Sequence, residues 1–283
     1  MNRKRIIIGI IVAIFVFVIV VVMILVLPKK MNSKSETIST KTTETITEKA
    51  TEDETASSSS KKATEKGTES KTETLETEPA IQAPDNMVNL LVQNDNSLEN
   101  LSEIDCQQFV TVSSNGSSAH INFYELKENM WVLDDTLSCD GFVGANGVTT
   151  EMHEGGYASP KGLYPIGDAF YIYNKPETNL SIFKVTNDTY WVDDPDSKYY
   201  NKRVEGTADK DWNSAEHMID YSAAYEYGFV IDYNPDAVYN AGSAIFFHIS
   251  YSSTAGCVGT DKDMVLQYLA KLDSTKNPYI LII

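Results

Sequence analysis

Positive charge is scarce in this chain: 23 Lys and Arg stand against 40 Asp and Glu, for a formal net charge of −17. The first thirty residues are basic, so the acidity falls in the C-terminal part. A domain of that kind lacks the Lys and Arg needed for phosphate contacts, which excludes nucleic-acid binding as a leading role. It also argues against tight docking on anionic lipid. The acidity signals solubility and names no substrate. Cysteine is sparse too, at three residues: Cys106, Cys139 and Cys257. In an oxidising exterior an odd number leaves a thiol over. Cys106 and Cys139 can pair and leave Cys257 free, or all three can stay reduced; the residues alone do not decide. Large apolar side chains are nearly missing from residues 31–84, which are Thr, Ser, Glu and Lys in repeated short combinations. Such a segment cannot bury enough apolar surface to offset its ordering entropy, and it reads as an extended, disordered tether.

Against these absences stands one long apolar run, Ile6 to Leu27, uncharged throughout. It is long enough to cross a hydrocarbon core of about 30 Å as a helix. Arg3, Lys4 and Arg5 precede it and Lys29 and Lys30 follow it, a balance that favours the N-terminus inside. A cleaved signal peptide is the other reading, but no small-x-small pattern follows Leu27. The expected organisation is an anchor over 1–30, a tether over 31–84, a lead-in over 85–104 and one globular domain over 105–283, with the lipid bilayer as a partner through Ile6–Leu27.

The globular part reads mostly as strands. Gln108–Ser113 and Ala119–Tyr124 alternate with period two around a Ser-Asn-Gly-Ser turn, which predicts a hairpin. Trp131-Val-Leu and Tyr225–Asn234 are further strands, the Gly- and Pro-rich stretch Gly155–Gly167 is loop, and a short helix is expected over Ser214–Tyr221. A helix is expected from Asp261 to Leu272, capped by Thr260 or Asp261 and apolar along Met264, Val265, Tyr268, Leu269 and Leu272. Many strands with few helices make a mainly β domain.

The segment richest in chemistry lies near the end. In Ser243-Ala-Ile-Phe-Phe-His248-Ile-Ser, Ala244, Phe246 and His248 share one strand face, and Ile245, Phe247 and Ile249 the other. Apolar residues on both faces mean a central strand that would hold His248 rigidly. Cys257 follows in the small-residue turn Thr254-Ala-Gly. A thiol needs a base beside it to become a nucleophile at neutral pH, and N–H groups near it to receive an oxyanion. Imidazole and sulfur are therefore expected within hydrogen-bond reach of each other. The N–H groups of Ala255, Gly256 and Cys257 are candidate donors, and the positive end of the following helix is expected to favour thiolate. One Cys and one His are by themselves a weak constellation, as compatible with an inert core thiol and a structural histidine.

The chain resembles the L,D-transpeptidase catalytic domains of bacterial cell-wall synthesis (the YkuD-like fold) over roughly 105–283. The likeness is carried in order by Phe109-Val-Thr-Val, Gly144-Ala-Asn-Gly147, Ser159-Pro160-Lys-Gly162-Leu-Tyr-Pro-Ile-Gly167, Tyr190-Trp191-Val-Asp193-Asp194-Pro195, Tyr200-Asn201, Ala215-Glu216-His217, Ile231-Asp232-Tyr233-Asn234, Gly242-Ser-Ala-Ile-Phe-Phe-His248 and Thr254-Ala-Gly-Cys257-Val. It implies a β-sandwich or barrel-type domain in which Cys257 is the nucleophile and His248 the general base. It also implies that a carbonyl at Ile249 or Ser250 orients the imidazole, with the oxyanion on Gly256, Cys257 and Ala255 N–H groups. Peptidoglycan stem peptides would be donor and acceptor in 3→3 cross-linking, with no metal or organic cofactor, and the domain would work as an extracellular monomer at the cell wall. An L,D-carboxypeptidase, or an idle wall-binding module, are the alternatives. Departures exist: Ala255 stands where the commoner pattern has a second histidine, and Gly259 where it has Arg or Asn. Those departures leave open what holds the donor's carboxylates; His217, Trp191 and Tyr233 are the candidate pocket residues. Asp193 and Asp194 read as turn residues beside Pro195.

Overall fold

The computed structural model describes residues 80–283. The apolar run Ile6–Leu27 and all but the last residues of the tether lie outside them. Among the described residues no helix is long and apolar enough to cross a membrane.

Two short helices come first, α1 (Asp85–Val92) and α2 (Leu98–Glu103). Their Met87, Leu91 and Leu101 are buried with Phe109, Tyr124, Trp131 and Leu281, so the segment expected as a lead-in packs onto the sheet. Then follow β1 (Gln108–Asn115), β2 (Ser118–Lys127), β3 (Met130–Leu133), β4 (Cys139–Phe142), β5 (Val148–Thr149), β6 (Ser159–Pro160), β7 (Gly162–Tyr171) and β8 (Ile182–Lys184). The chain continues through β9 (Thr189–Trp191), β10 (Arg203–Glu205), β11 (Glu216–His217), β12 (Tyr227–Ile231), β13 (Phe246–Ile249) and β14 (Val258–Thr260). It ends with α3 (Lys262–Lys271) and β15 (Tyr279–Ile282).

The main sheet runs in the order β1-β15-β7-β12-β13-β14-β4-β2, and β2 pairs back onto β1. Eight strands thus close into a barrel-like ring, which leaves none of the eight with an open edge. β3 extends from β2 and β8 from β7, while β10-β9-β11 and β5-β6 form two small sheets. The domain is mainly β with few helices.

The expected hairpin is present, with Gly116 at φ +63° in its turn. The expected C-terminal helix is α3, capped by the Asp261 side chain on Met264 N–H, with Val265, Tyr268 and Leu269 buried. These side chains enter one core cluster with Val110, Val112, Ile121, Phe123, Phe229, Phe247, Val258 and Ile280. Three expectations need correction. The Gly155–Gly167 stretch is not all loop: β7 begins at Gly162, pairs with β12 and β15, and absorbs its irregular residues in a register shift opposite Phe229 and Ile231. The short helix over Ser214–Tyr221 is instead strand β11 followed by a 3-10 turn, Met218–Tyr221. The strand expected from Tyr225 starts at Tyr227 and ends at Ile231, so Tyr225 sits in the preceding turn. The cysteine question left open by sequence is answered too: all three cysteines are free. Cys106 lies buried under α1 and α2, donating to Gln108 O, and Cys139 lies beside Thr260 Oγ1.

One buried charge ties the ring together. The Glu125 side chain on β2 is 8% exposed and faces Lys276 (2.5 Å), Lys127 (3.1 Å) and Lys271 (3.4 Å). Gln108 on β1 donates to it at 3.2 Å and also bonds Lys271 O and Asp273 N–H. Burial alone would raise the Glu125 carboxyl, but hydrogen bonds from Lys276, Lys127 and Gln108 outweigh it and hold the group at about 2. A carboxyl depressed from 4.5 to about 2 adds stability that is complete above 4.5 and is lost as pH falls towards 2. Glu125→Ala is expected to cost about 3–5 kcal/mol in urea unfolding at pH 7. Glu125→Gln should flatten the loss of stability between pH 4.5 and 2 relative to wild type.

Candidate active site

β13 is apolar on both sides because it is central, between β12 and β14. Ile245, Phe247 and Ile249 enter the cluster that holds α3, whereas Ala244 and Phe246 enter a second one with Phe170, Met218, Tyr225 and Cys257. His248 is on the Phe246 face, 6% exposed, with the Tyr225 ring edge-on at 5.2 Å. Its Nδ1 lies 2.9 Å from Ile249 O. A carbonyl can only accept, so Nδ1 carries the proton and Nε2 holds the lone pair. Burial pushes the imidazole down to about 4, with the bond to Ile249 O opposing it. Ile249, rather than Ser250, is the orienting carbonyl; Ser250 N–H bonds Thr260 O and its Oγ bonds Ser252 O.

β14 runs parallel to β13 with Phe247 beside Val258 and His248 beside Gly259. Cys257 therefore falls next to Phe246, diagonal to His248. Parallel neighbours ordinarily need a crossover of a dozen or more residues, about twice what is common for tight loops. Here residues 250–257 make the connection alone, and the turn is heavily braced. Thr254 N–H bonds Val143 O (3.0 Å), Ala145 N–H bonds Thr254 O (2.9 Å), and Thr254 Oγ1 donates to Cys257 O (2.6 Å). The fully buried Ser159 hydroxyl accepts from Gly144 N–H at 2.9 Å and faces Gly256 O (2.6 Å) and Cys257 O (3.1 Å). Gly256 has φ +156°, and a Cβ there would meet Ala158 O at 3.1 Å, so a side chain would be tight against that carbonyl.

Cys257 is 6% exposed. Its Sγ accepts from Phe246 N–H and donates to Ala244 O, both at 3.3 Å. Ala244 is held at φ +54° by Asn201 Oδ1, which accepts its N–H at 3.1 Å. Among the described residues no hydrogen bond joins the His248 ring to Sγ, contrary to expectation; the two groups meet instead across a shared cleft of about 560 Å³. Burial pushes the thiol well above its usual range, nearby Glu216 adds to that, and Phe246 N–H opposes it. The expected help from a helix is also missing, because β14 intervenes and α3 starts only at Lys262. The resting pair is a neutral thiol and a neutral imidazole. Of the three candidate oxyanion donors, Gly256 N–H is taken by Thr254 Oγ1 at 3.2 Å. The N–H groups of Ala255 and Cys257 have no acceptor among the described residues.

The three candidate pocket residues do not line this cleft. Both His217 nitrogens are occupied, by Asp220 (2.9 Å) and Asn187 O (2.7 Å), and the ring stacks on Tyr190. Trp191 donates to Asn201 and packs edge-on against Phe246, forming a wall behind the site. Tyr233 donates to Ala241 O and meets Tyr164. What does line the cleft, and was missed, is Glu216, one residue before His217. Adjacent residues of a strand point to opposite sides, so if one of the pair is turned away the other faces in. Asp193 also lines the cleft, while its neighbour Asp194 does the turn work expected of both, accepting Asp196 N–H (3.0 Å) and Asn213 N–H (2.6 Å). With Glu154 the lining carries three acidic side chains and no Lys or Arg. Among the described residues no group of three or more His, Cys, Asp and Glu is placed to hold a metal ion.

Neither protein-family models nor curated proteins give a match to the chain. Among solved structures it is similar to the helical cell shape determining protein Pgp2 from Campylobacter jejuni, at 15% identity and a TM-score of 0.33. The likeness covers 64% of this chain and 53% of that one, so the chain spans about half the length of that protein.

The bracing of the cysteine turn can be measured. Ser159→Ala leaves the Gly144 N–H buried without its acceptor and removes a donor from Gly256 O. It is expected to cost about 1–3 kcal/mol in thermal unfolding. Because Thr254 shares the Cys257 O acceptor, a double-mutant cycle of Ser159→Ala with Thr254→Val should show a coupling of about 0.5 kcal/mol or more.

Proposed function

We propose that the chain is a peptidoglycan L,D-transpeptidase that works through a thioester on Cys257. The observation carrying this reading is that Cys257 and His248 open on one cleft, with the Nε2 lone pair freed by the Nδ1–H bond to Ile249 O. These are the two residues that the family resemblance assigns as nucleophile and base.

In the proposed reaction the Sγ–H turns from Ala244 O towards Nε2. Its proton passes to His248 as sulfur attacks the carbonyl between the third stem residue and terminal D-Ala. Developing negative charge on oxygen is received by the Ala255 and Cys257 N–H groups. His248 then protonates the departing D-Ala nitrogen, the C–N bond breaks and the thioester remains. An amine on the third residue of a second stem attacks the thioester, giving the 3→3 link and returning the thiol. The apolar run Ile6–Leu27 would anchor the chain with its N-terminus inside, and the 31–84 tether would hold the catalytic domain outside, at the wall.

Mass spectrometry of the protein with a stem tetrapeptide should find D-Ala loss, a cross-linked dimer and an adduct on Cys257 with a carbapenem. Tripeptide without dimer would instead make the enzyme an L,D-carboxypeptidase. Cys257→Ala is expected to abolish D-Ala release, and His248→Ala to lower it by about 10²–10⁴-fold; full activity in Cys257→Ala would overturn the mechanism. Because burial pushes His248 down to about 4, the acid limb of carbapenem acylation should lie near pH 4, well below the 6.5 of an ordinary histidine.

A further inference from the structure

The cleft is built for a cation. Glu216, Asp193 and Glu154 line it with Cys257 and His248, and no Lys or Arg does. Glu216 Oε2 accepts one hydrogen bond, from Tyr225 OH at 2.6 Å, and the Tyr225 ring in turn lies against His248. Two polar atoms of the lining are buried without a partner: Asp193 Oδ1 and the Oγ of Ser243, a residue 8% exposed. The carboxylate oxygen is an acceptor lacking a donor, the hydroxyl can accept as well as donate, and buried polar groups are ordinarily satisfied. A carboxylate brings no hydrogen to the Asp193 oxygen; an ammonium brings three.

We propose that Glu216 and Asp193 receive the incoming acyl acceptor as its primary ammonium, and that Glu216 takes the proton this nitrogen must lose before attacking the Cys257 thioester. The inference rests on the function proposed above and adds the acceptor side to it. An alkyl ammonium carries two protons too many for an amide: R–NH₃⁺ and a thioester give an amide, a thiol and one further proton. Glu216 takes that first proton. The freed nitrogen lone pair then attacks the thioester carbon, the C–S bond breaks, and the second proton passes through His248 Nε2 to Sγ. The groups facing Glu216 are Tyr225, which hydrogen-bonds it, and Asp193, Glu154, Tyr221 and Cys257, which bear on its charge. Burial raises its carboxyl to about 7, with the Tyr225 bond opposing and Asp193 and Glu154 adding, which suits a base working near neutral pH.

The test uses the full chain in detergent, the stem tetrapeptide as donor and propylamine as a bare ammonium acceptor. The readout is the ratio of propylamide to hydrolysed tripeptide, which a general loss of acylation does not move. Glu216→Gln keeps an oxygen for Tyr225, and is expected to lower the ratio about tenfold or more at pH 7. The deficit should close as pH approaches the amine's own value of roughly 10.4, where no base is needed. Asp193→Asn should raise the propylamine concentration for half-maximal adduct, and decides the matter alone if Glu216→Gln does not fold. Unchanged ratios in both variants, or a deficit equally deep at pH 7 and pH 9.5, would overturn the assignment. Wild-type protein that makes tripeptide but no propylamide would overturn it while leaving the cysteine chemistry standing. Wild-type protein that releases no D-Ala would sink the proposed function, and this inference with it.

Discussion

The parallel pairing of β13 with β14 is the constraint on which the site depends. Register is all-or-none in a strand, since a slip of one residue sends every side chain to the other face. With Phe247 beside Val258, Cys257 falls on the same side as Phe246 and His248, and Cys257 and His248 open on one cleft. Slipped by one, the sulfur would face the Phe247 side and the α3 core. The short crossover at 250–257 makes this register hard to hold by chain geometry alone, which explains the density of bonds around it. Thr254 is tied to Val143 and Ala145, Ser159 reaches across to Gly256 and Cys257, and Gly256 lies against Ala158 without a side chain. Segments distant in sequence, 143–147 and 158–159, thus act as one clamp on the cysteine turn. Ring closure keeps that clamp in place, because β4, which leads into residue 143, pairs with both β14 and β2.

What was legible in sequence is what local periodicity encodes. The β1–β2 hairpin, α3 with its Asp261 cap, and the two faces of β13 follow from alternation, helical spacing and capping chemistry. The candidate pair Cys257 and His248 stood out by chemistry, a histidine on a central strand followed by a cysteine in a small-residue turn, and the family resemblance added their roles and the choice of Ile249 or Ser250 as orienting carbonyl. The pairing order of the ring was not legible, since which strands meet is a non-local matter. β7 was missed because Gly162, Pro165 and Gly167 are turn residues by composition, yet a strand tolerates them where a register shift relieves the ladder. Between His217 and Glu216 the difference is one of facing: the histidine attracted notice by its chemistry, but Asp220, Asn187 and Tyr190 already satisfy it, and its neighbour Glu216 lines the cleft. The missing hydrogen bond between imidazole and sulfur has another origin: the two groups share a face, but Cys257 lies diagonal to His248 across the β13–β14 pair rather than beside it.

Desolvation then sets the terms on which this site can react. Burial acts in opposite directions on the two groups, raising the thiol and lowering the imidazole, so that a thiolate–imidazolium pair is disfavoured at rest. Glu216 at the same cleft pushes further against a thiolate. A permanently ionised cysteine would need a nearby cation or a helix N-terminus, and among the described residues the cleft has neither. Under the proposed function, charge would appear only during attack, with proton transfer to Nε2 coupled to bond formation at sulfur. Under the same proposal, the low-dielectric surroundings that make the resting ion pair costly would strengthen the N–H groups of Ala255 and Cys257 towards an oxyanion. A neutral resting pair also resists chance oxidation and alkylation, which act on thiolate. On the proposed reading, burial would keep the sulfur inert until a substrate carbonyl fills the cleft, and rigidity of the cysteine turn would keep the N–H groups aimed at it when it does.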